Sequence, residues 1–423
     1  MRLATAFLIA ILSACVSNLA TARTWYILPD GSGDAPTIQA GMDSATAGDT
    51  LLLACGTYYE HGISLISEIC VRSETGSPQC VTVDGQEMGS VLRADSVDGM
   101  TSIEGLTIRG GHAATGGGLL CIHAIPRVKN CAFLWNGAYG WQGGGAIAYH
   151  SSVPLEASIE GTKFVRNSVA DAAGPGAVLA SGVSLSVVDC VFEETSGSAV
   201  GVENASGIFK RCTFTRNDCL FGGALAFYLW PDHKILVDSC QFVQNTAEAL
   251  GSALWQAYGL VEVSNSVFWD NHGGDGGALY SEGRCRIRSC TFTRNSTAWY
   301  AGVLSFGGYS WLEDVLVADN LSKSMACLGC PVSLSCCDIY GNSGGDWVPC
   351  IADQYGINGN FSADPLFCDA DVGDFTLRAD SPCLPGQHPD GSDCGLIGAF
   401  GEGCAGPTSV ERATWGAVKR LWQ

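Results

Sequence analysis

From Phe133 to Asn342 the chain repeats one short apolar–polar pattern: a large apolar residue, two variable residues, then Asn. It reads FLWN ending at Asn136, FVRN at Asn167, FTRN at Asn217, FVQN at Asn245, FWDN at Asn271 and FTRN at Asn295, then VADN at Asn320 and IYGN at Asn342. Only the unit from Phe192 to Thr195 loses the Asn. Between these units runs a Gly-rich stretch ending in Ala and an aliphatic residue, as GGAI at Gly144, GSAV at Gly197, GGAL at Gly222, GSAL at Gly251 and GGAL at Gly276. With Ile108 as the first member of the Phe column and Ile339 as the last, the period is about 26 residues. A unit of that length cannot bury its own apolar face and must stack on its neighbours, so the pattern predicts a solenoid.

The local pattern selects which solenoid. Helical repeats need about ten periodic residues per helix, and Gly recurs too often here for that. Leucine-rich repeats share the period but require an LxxLxL strand, which is missing. What remains is short strands separated by Gly, Asn and Asp turns: an all-β, single-stranded parallel β-helix of roughly ten coils. At the inter-strand spacing that is a rod about 48 Å long. Strand alternation places Phe133, Phe164, Phe192, Phe214, Phe242, Phe268 and Phe292 inside. Two places before them, Cys131, Cys190, Cys212, Cys240, Cys290 and Cys337 share that interior as small buried residues, some of them bridging adjacent coils. Ile147, Val178, Val200, Leu225, Leu254, Leu279 and Leu304 form a second inward column. Asn136, Asn167, Asn217, Asn245, Asn271, Asn295, Asn320 and Asn342 read as a structural ladder, each amide bonding to the next coil and to turn backbone.

The ends depart from this rhythm. MRLATAFLIAILSA is one basic residue and an apolar run too short to stay in a bilayer, so residues 1–22 read as an export signal, with cleavage before Arg23 after Ala20-Thr21-Ala22. A competing reading takes Leu12 to Cys15 as a lipoprotein box that leaves Cys15 lipidated. The first option leaves twenty of the 21 cysteines, an even number. Residues 23–66 read as an amino-terminal cap and first coil, in which Thr37 N-caps a short helix carrying Ile38, Met42 and Ala45. Residues 67–342 are the repeats, and 343–405 are Cys-rich carboxyl-terminal coils and cap. In 406–423, Val410, Ala413, Ala417 and Leu421 share a helical face beside Trp415 and Trp422, with Arg412, Lys419 and Arg420 alongside. That amphipathic tail suits docking, either onto the last coil or onto sorting machinery or the cell surface.

Composition bears on partners. A net charge of −20 and a pI near 4.6 disfavour nucleic acid and anionic membrane, which would repel the chain. The mature part holds no second apolar span. Cysteines outside the inner column cluster in the first coils (Cys55, Cys70, Cys80), in a late turn (Cys327, Cys330, Cys336) and in the terminal segment. For an exported chain these read as disulfides before zinc ligands.

Three groups carry candidate chemistry. The loop YLWPDHK brings Asp232, His233 and Lys234 together, the weak catalytic candidates, although a polar turn capped by Pro231 is the simpler reading. Asp270 and Asp275, beside His272, form a turn that would take calcium if any metal binds; otherwise no cofactor is expected. Tyr149, Tyr228, Trp230, Trp255 and Tyr280 lie near one edge of the second column, where a row of exposed rings would hold a polysaccharide or cell-surface glycan by face stacking.

Some stretches resemble known families. DGSGDAPTIQAGMDSATAGDTLLLACGTYYE, from Asp30 to Glu60, resembles the opening of the pectin methylesterase and pectate lyase-like superfamily, which implies a right-handed β-helix. The GGA and FxxN units resemble the repeats of polymorphic outer-membrane proteins, exported surface adhesins. DPLFCDADVGDFTLRADSPCLP, from Asp364 to Pro385, and DCGLIGAF, from Asp393 to Phe400, resemble the closing segment of bacterial extracellular β-helix proteins of the choice-of-anchor Q type. The enzymes' motifs do not follow. Pectin methylesterases carry QD, DFIFG and GRPW motifs that are missing here; AVGVENASGIFKRC, from Ala199 to Cys212, puts Ala199 where the second motif has its Asp. The RxPxxR motif of pectate lyases is missing too. The reading is therefore a secreted or cell-surface, non-catalytic, adhesin-like glycan binder. The alternative is a calcium-dependent lyase acting on polysaccharide near Lys234 or Asp270.

Overall fold

Each repeat folds into short strands because one left-handed residue at each of two corners breaks its extended runs. In the unit that includes Asn245, Leu225–Tyr228, Lys234–Asp238 and Gln241–Val243 follow one another around a coil, and Leu254–Gln256 begins the next. Ser239 turns the first corner at φ 56° and Gln244 the second at φ 53°. The same two positions are left-handed coil after coil: Asn130, Asp189, Arg211 and Ser289 at one, Trp135, Arg166, Arg216 and Arg294 at the other. The second variable residue of FxxN is therefore the corner itself, and the Asn that follows secures it.

The computed structural model describes residues 22–140, 143–171, 173–299 and 301–405. Stacked coils make a 22-stranded sheet, folded into two faces, and a 12-stranded sheet carrying the Phe column. Twelve strands in that second sheet, among the described residues, exceed the ten coils expected. The first coils before Ile108 lack the FxxN signature and so escape the period, although Tyr58 and Val83 already occupy the column. All ladders of these two sheets are parallel; the one antiparallel strand pairing among the described residues joins Phe367–Asp369 to Asp374–Arg378. At the amino end, α1 (Ile38–Ser44) covers the first coil as expected. The Thr37 hydroxyl accepts from Ala40 N, the Glu60 carboxylate accepts from the N–H groups of Ile38 and Gln39, and Ile38 and Met42 are buried. Among the described residues no helix is long and apolar enough to cross a membrane.

The interior matches the columns. Phe133 to Phe292 pair in register and stack with ring centroids 4.4 to 5.3 Å apart, and the Ile147 to Leu304 column is wholly buried. In the ladder, each Nδ2 donates backward to the carbonyl of the preceding coil's Phe-column residue. Where the preceding coil also carries an Asn, Oδ1 accepts from that residue's backbone N–H and Nδ2, as Asn245 Oδ1 does from Asn217 at 3.1 and 2.9 Å; Asn136 and Asn217 instead accept from Gly111 N and Thr195 N. The run from Asn217 to Asn342 is continuous and ends on the Asp346 carboxylate. It is broken at Thr195, whose buried hydroxyl has no partner.

The cysteine column differs from expectation in one respect: its sulfurs are all free thiols. Cys131, Cys190, Cys212, Cys240, Cys290 and Cys337 each donate to the carbonyl two residues back, at 3.2 to 3.4 Å. Thr162 and Ser266 do the same from the same position with hydroxyls. The column therefore serves as a row of small hydrogen-bond donors at the corner. The disulfides lie outside it, at Cys55–Cys80, Cys327–Cys350, Cys336–Cys394 and Cys368–Cys404. This supports disulfide over zinc in the late turn. Burial pushes the Cys131, Cys290 and Cys337 thiols up to about 12 and so suppresses their thiolates. Iodoacetamide on the native protein should modify Cys70 and Cys330, which are partly exposed, and spare the ten buried free thiols among the described residues. Peptide mapping checks this, and native labelling of Cys212 or Cys240 would contradict a closed tube.

Residues 361–404 do not continue the rod. They return along the outer face of the Phe sheet, where Ala399 N donates to Thr291 Oγ1 and Phe375 meets Trp269 edge-on at 5.4 Å. The outward residues change accordingly, from Lys163, Thr213 and Gln241 on open coils to Val267 and Leu316 on covered ones. Leu316 and Ala318 bury against Phe361, Leu377, Leu384 and Ile397. The expected cleavage site, Cys15 and the amphipathic tail after residue 405 lie outside the described residues, apart from Ala22 and Arg23.

Candidate functional site

On the second-strand face, the residues next to the inward aliphatic column form an outward row: Ala148, Leu179, Gly201, Ala226, Trp255, Tyr280, Ser305 and Ala326. A side chain one coil away is only about 4.8 Å distant, so a step from small to large along the row makes relief. Gly201 and Ala226 are the low point. Trp255 rises beside them, and Pro175 lies over Gly201 so closely that a Cβ there would meet Pro175 Cγ at 2.3 Å. The result is a hollow of about 330 Å³ with Gly201 and Ala226 as floor, Pro175 and Tyr228 as walls, and Asp171, Glu203 and Asn204 around it.

Tyr228 is the exposed ring of this hollow, at 50% of its full accessibility. Its position is set from below by Trp255, in an edge contact with ring centroids 4.5 Å apart. Trp255 is itself pinned by Phe221 at 5.5 Å and packs with Leu250 and Tyr280. Its indole N–H is buried without a partner. Desolvation raises the Tyr228 hydroxyl pKa, and the nearby Glu203 and Glu282 carboxylates add to that, so the group is a neutral phenol able to donate or accept.

The expected row of exposed rings is therefore corrected at two of its five members. Tyr149 stands two places past Ile147, so strand alternation turns it inward, and it is fully buried. Trp255 points outward, but Phe221 and Tyr228 cover it, leaving 5% exposure. Tyr228, Tyr280 and Trp255 do come together. Trp230 is 66% exposed on the adjoining turn.

The weak catalytic group does not assemble into a shared site. Lys234 opens the strand Lys234–Asp238, with Nζ 2.7 Å from Glu262. Among the described residues, no hydrogen bond or ion pair joins it to Asp232 or His233, which remain in the turn closed by His233 N donating to Trp230 O. The calcium candidates also have separate partners. Asp270 Oδ2 accepts from Gln244 Nε2 at 3.0 Å, and Asp275 Oδ1 accepts from Ser305 Oγ at 2.8 Å. Among the described residues the only group of three potential metal ligands is Cys55, Glu74 and Cys80, whose two sulfurs are bonded to each other. Asp171, Pro175, Gly201, Glu203 and Asn204 were not foreseen as site residues. The signal available was the pair of small residues, Gly201 and Ala226, just before Trp255 in one register, and it becomes readable only once that register is known.

Residues 155–320 match the family model described as right handed beta helix region, in agreement with the right-handed parallel β-helix expected. No curated protein matches the chain significantly. Among solved structures the chain is similar to pectate lyase Pel9A, at 13% identity over 91% of this chain and 98% of that one, with a TM-score of 0.44. It is also similar to PfbA, a surface adhesin of Streptococcus pneumoniae, at 12% identity over 73% of this chain and 88% of that one, with a TM-score of 0.34.

Proposed function

We propose that this chain is an exported, non-catalytic surface protein that binds a glycan in the hollow beside Tyr228. The observation carrying the proposal is that hollow: a half-exposed ring, fixed edge-on by a buried indole, stands over a floor of Gly201 and Ala226 with carboxylates and an amide close by. The apolar C–H face of a pyranose stacks on such a ring, while its hydroxyls donate to Asp171 and Glu203 and bond to Asn204. Because Trp255 already holds Tyr228 in place, little side-chain entropy is lost on binding. Carboxylates around the hollow favour a neutral sugar over an acidic one. Export is supported by four disulfides and by the leader-like first residues.

A glycan array followed by calorimetry tests this. Tyr228→Ala is expected to weaken binding at least about fivefold, since a stacked ring contributes about 1 kcal/mol or more. Ala226→Leu, which fills the floor, should do the same while leaving thermal unfolding unchanged. Unaltered binding in both variants would remove this site. For the lyase alternative the assay is absorbance of unsaturated uronate products with calcium present; that signal, lost in Lys234→Ala, would replace the binding reading with an enzymatic one.

A further inference from the structure

A larger concavity than the hollow lies on the neighbouring face of the 22-stranded sheet, where a groove of about 550 Å³ crosses the strands Lys234–Asp238, Leu260–Ser264, Arg284–Arg288 and Ser310–Glu313. Alternation along Arg284–Arg288 sends Arg284, Arg286 and Arg288 outward, with Cys285 and Ile287 buried between them. A strand presenting three guanidinium groups is unexpected in a chain of net charge −20.

The charged side chains lining the groove balance, Lys210, Arg286 and Arg288 against Asp238, Glu262 and Glu313, and the surplus of cations lies at its edge, where the strands Lys234–Asp238 and Arg284–Arg288 begin. Glu262 serves two cations at once, Lys234 Nζ at 2.7 Å and Arg286 at 3.5 Å. Arg284 has no ion pair among the described residues and its side chain is exposed. It stands two coils from Lys234 in the same row, about 10 Å away, with Leu260 between them. Lys234 and Arg286 thus share one carboxylate at this edge, and Arg284 adds a third cation with none of its own. At the other end Arg288 is matched by Glu313 and Asp314, and Arg286 lies over the Trp311 ring at 5.3 Å. Surface ion pairs of this kind contribute little to stability, so fold maintenance does not account for the surplus.

We propose that the edge of this groove, where Lys234 and Arg284 flank the lining residues Glu262 and Arg286, is a second binding site, for the oxyanion groups of an acidic polysaccharide, distinct from the neutral-sugar hollow beside Tyr228. Guanidinium groups take sulfate or carboxylate by paired, charge-assisted hydrogen bonds, and Leu260 and Trp311 offer apolar surface to the sugar rings between them. The two sites lie on different faces of the coil and call for opposite ligand charge. This inference therefore stands or falls independently of the first.

The test is binding of dextran sulfate, polygalacturonate and unmodified dextran to the full chain, with EDTA present so that calcium cannot bridge carboxylates. Both acidic chains, or one of them, should bind, dextran should not, and affinity should fall with added salt. Arg284→Gln, which disturbs no ion pair, should weaken binding about tenfold, and Arg284→Gln with Arg286→Gln about a hundredfold. Tyr228→Ala should leave this binding unchanged. Preference between the sulfated and the carboxylated chain identifies the natural oxyanion. Equal binding by the double variant, no binding of either acidic chain, or loss of binding in Tyr228→Ala would overturn the proposal.

Discussion

Replacing Asn245 by Leu, which keeps the size of the side chain, is expected to lower the unfolding free energy by about 3–5 kcal/mol. The change removes the Oδ1 that accepts from both the backbone N–H and Nδ2 of Asn217, and the Nδ2 that donates to Phe214 O and Asn271 Oδ1. Asn217, Asn245 and Asn271 are all fully buried, so no water replaces the lost bonds, and two donors are orphaned inside the tube. The corner at Gln244 is left-handed and non-glycine, which adds to the cost once the anchoring amide is gone. Thr195→Asn tests the converse: it restores an amide where the ladder is broken and should raise stability. Urea denaturation of the three proteins measures both, and a Leu variant within 1 kcal/mol of the parent would show that the ladder follows the fold without holding it.

A second large effect is a pH dependence at the last coil. Asp338 faces out from the strand Asp338–Tyr340, yet the returning terminal segment covers it completely; Oδ1 accepts from Ala363 N at 3.0 Å, and Cys383 Sγ lies 3.2 Å from Oδ2. Desolvation pushes its carboxyl up to about 8, with the Asp346 and Asp364 carboxylates adding to the rise. In the unfolded chain the same group titrates near 3.9, so from about pH 4 to pH 8 the folded protein holds a proton that the unfolded chain has lost. Stability therefore falls as pH rises through that window and is flat above it, the full loss being up to about 5 kcal/mol. Asp338→Asn carries no such penalty. It should equal the parent at pH 4 and exceed it by several kcal/mol at pH 8, measured as the difference between urea unfolding curves. Parallel pH profiles for the two proteins would show that the carboxylate is not confined beneath the segment.

Why the terminal segment was not legible is instructive. The Phe, aliphatic and Asn columns repeat in the chain because each coil meets the same neighbours, so one local pattern carries the same contact many times. The fold back over Val267, Thr291 and Leu316 happens once. It rests on single contacts between residues far apart, such as Ala399 with Thr291 across 108 positions, and on a cysteine pairing that spacing does not specify. The aromatic edge falls between these cases. Alternation alone would have turned Tyr149 inward, whereas the covering of Trp255 required Phe221, which ends the strand Asp218–Phe221 of the preceding coil.

What the chain determined by itself was the tube: its strand class, its stacked interior, its amide ladder and its helical cap. All four follow from periodicity and nearest-neighbour contact, which sequence records directly. Tertiary structure alone decided which outward residues are open and which are covered, where the hollow and the groove lie, and that the cysteine column stays reduced. Those outcomes depend on which residues one coil apart fall into the same register, and on a segment returning from far along the chain, and no local pattern encodes either.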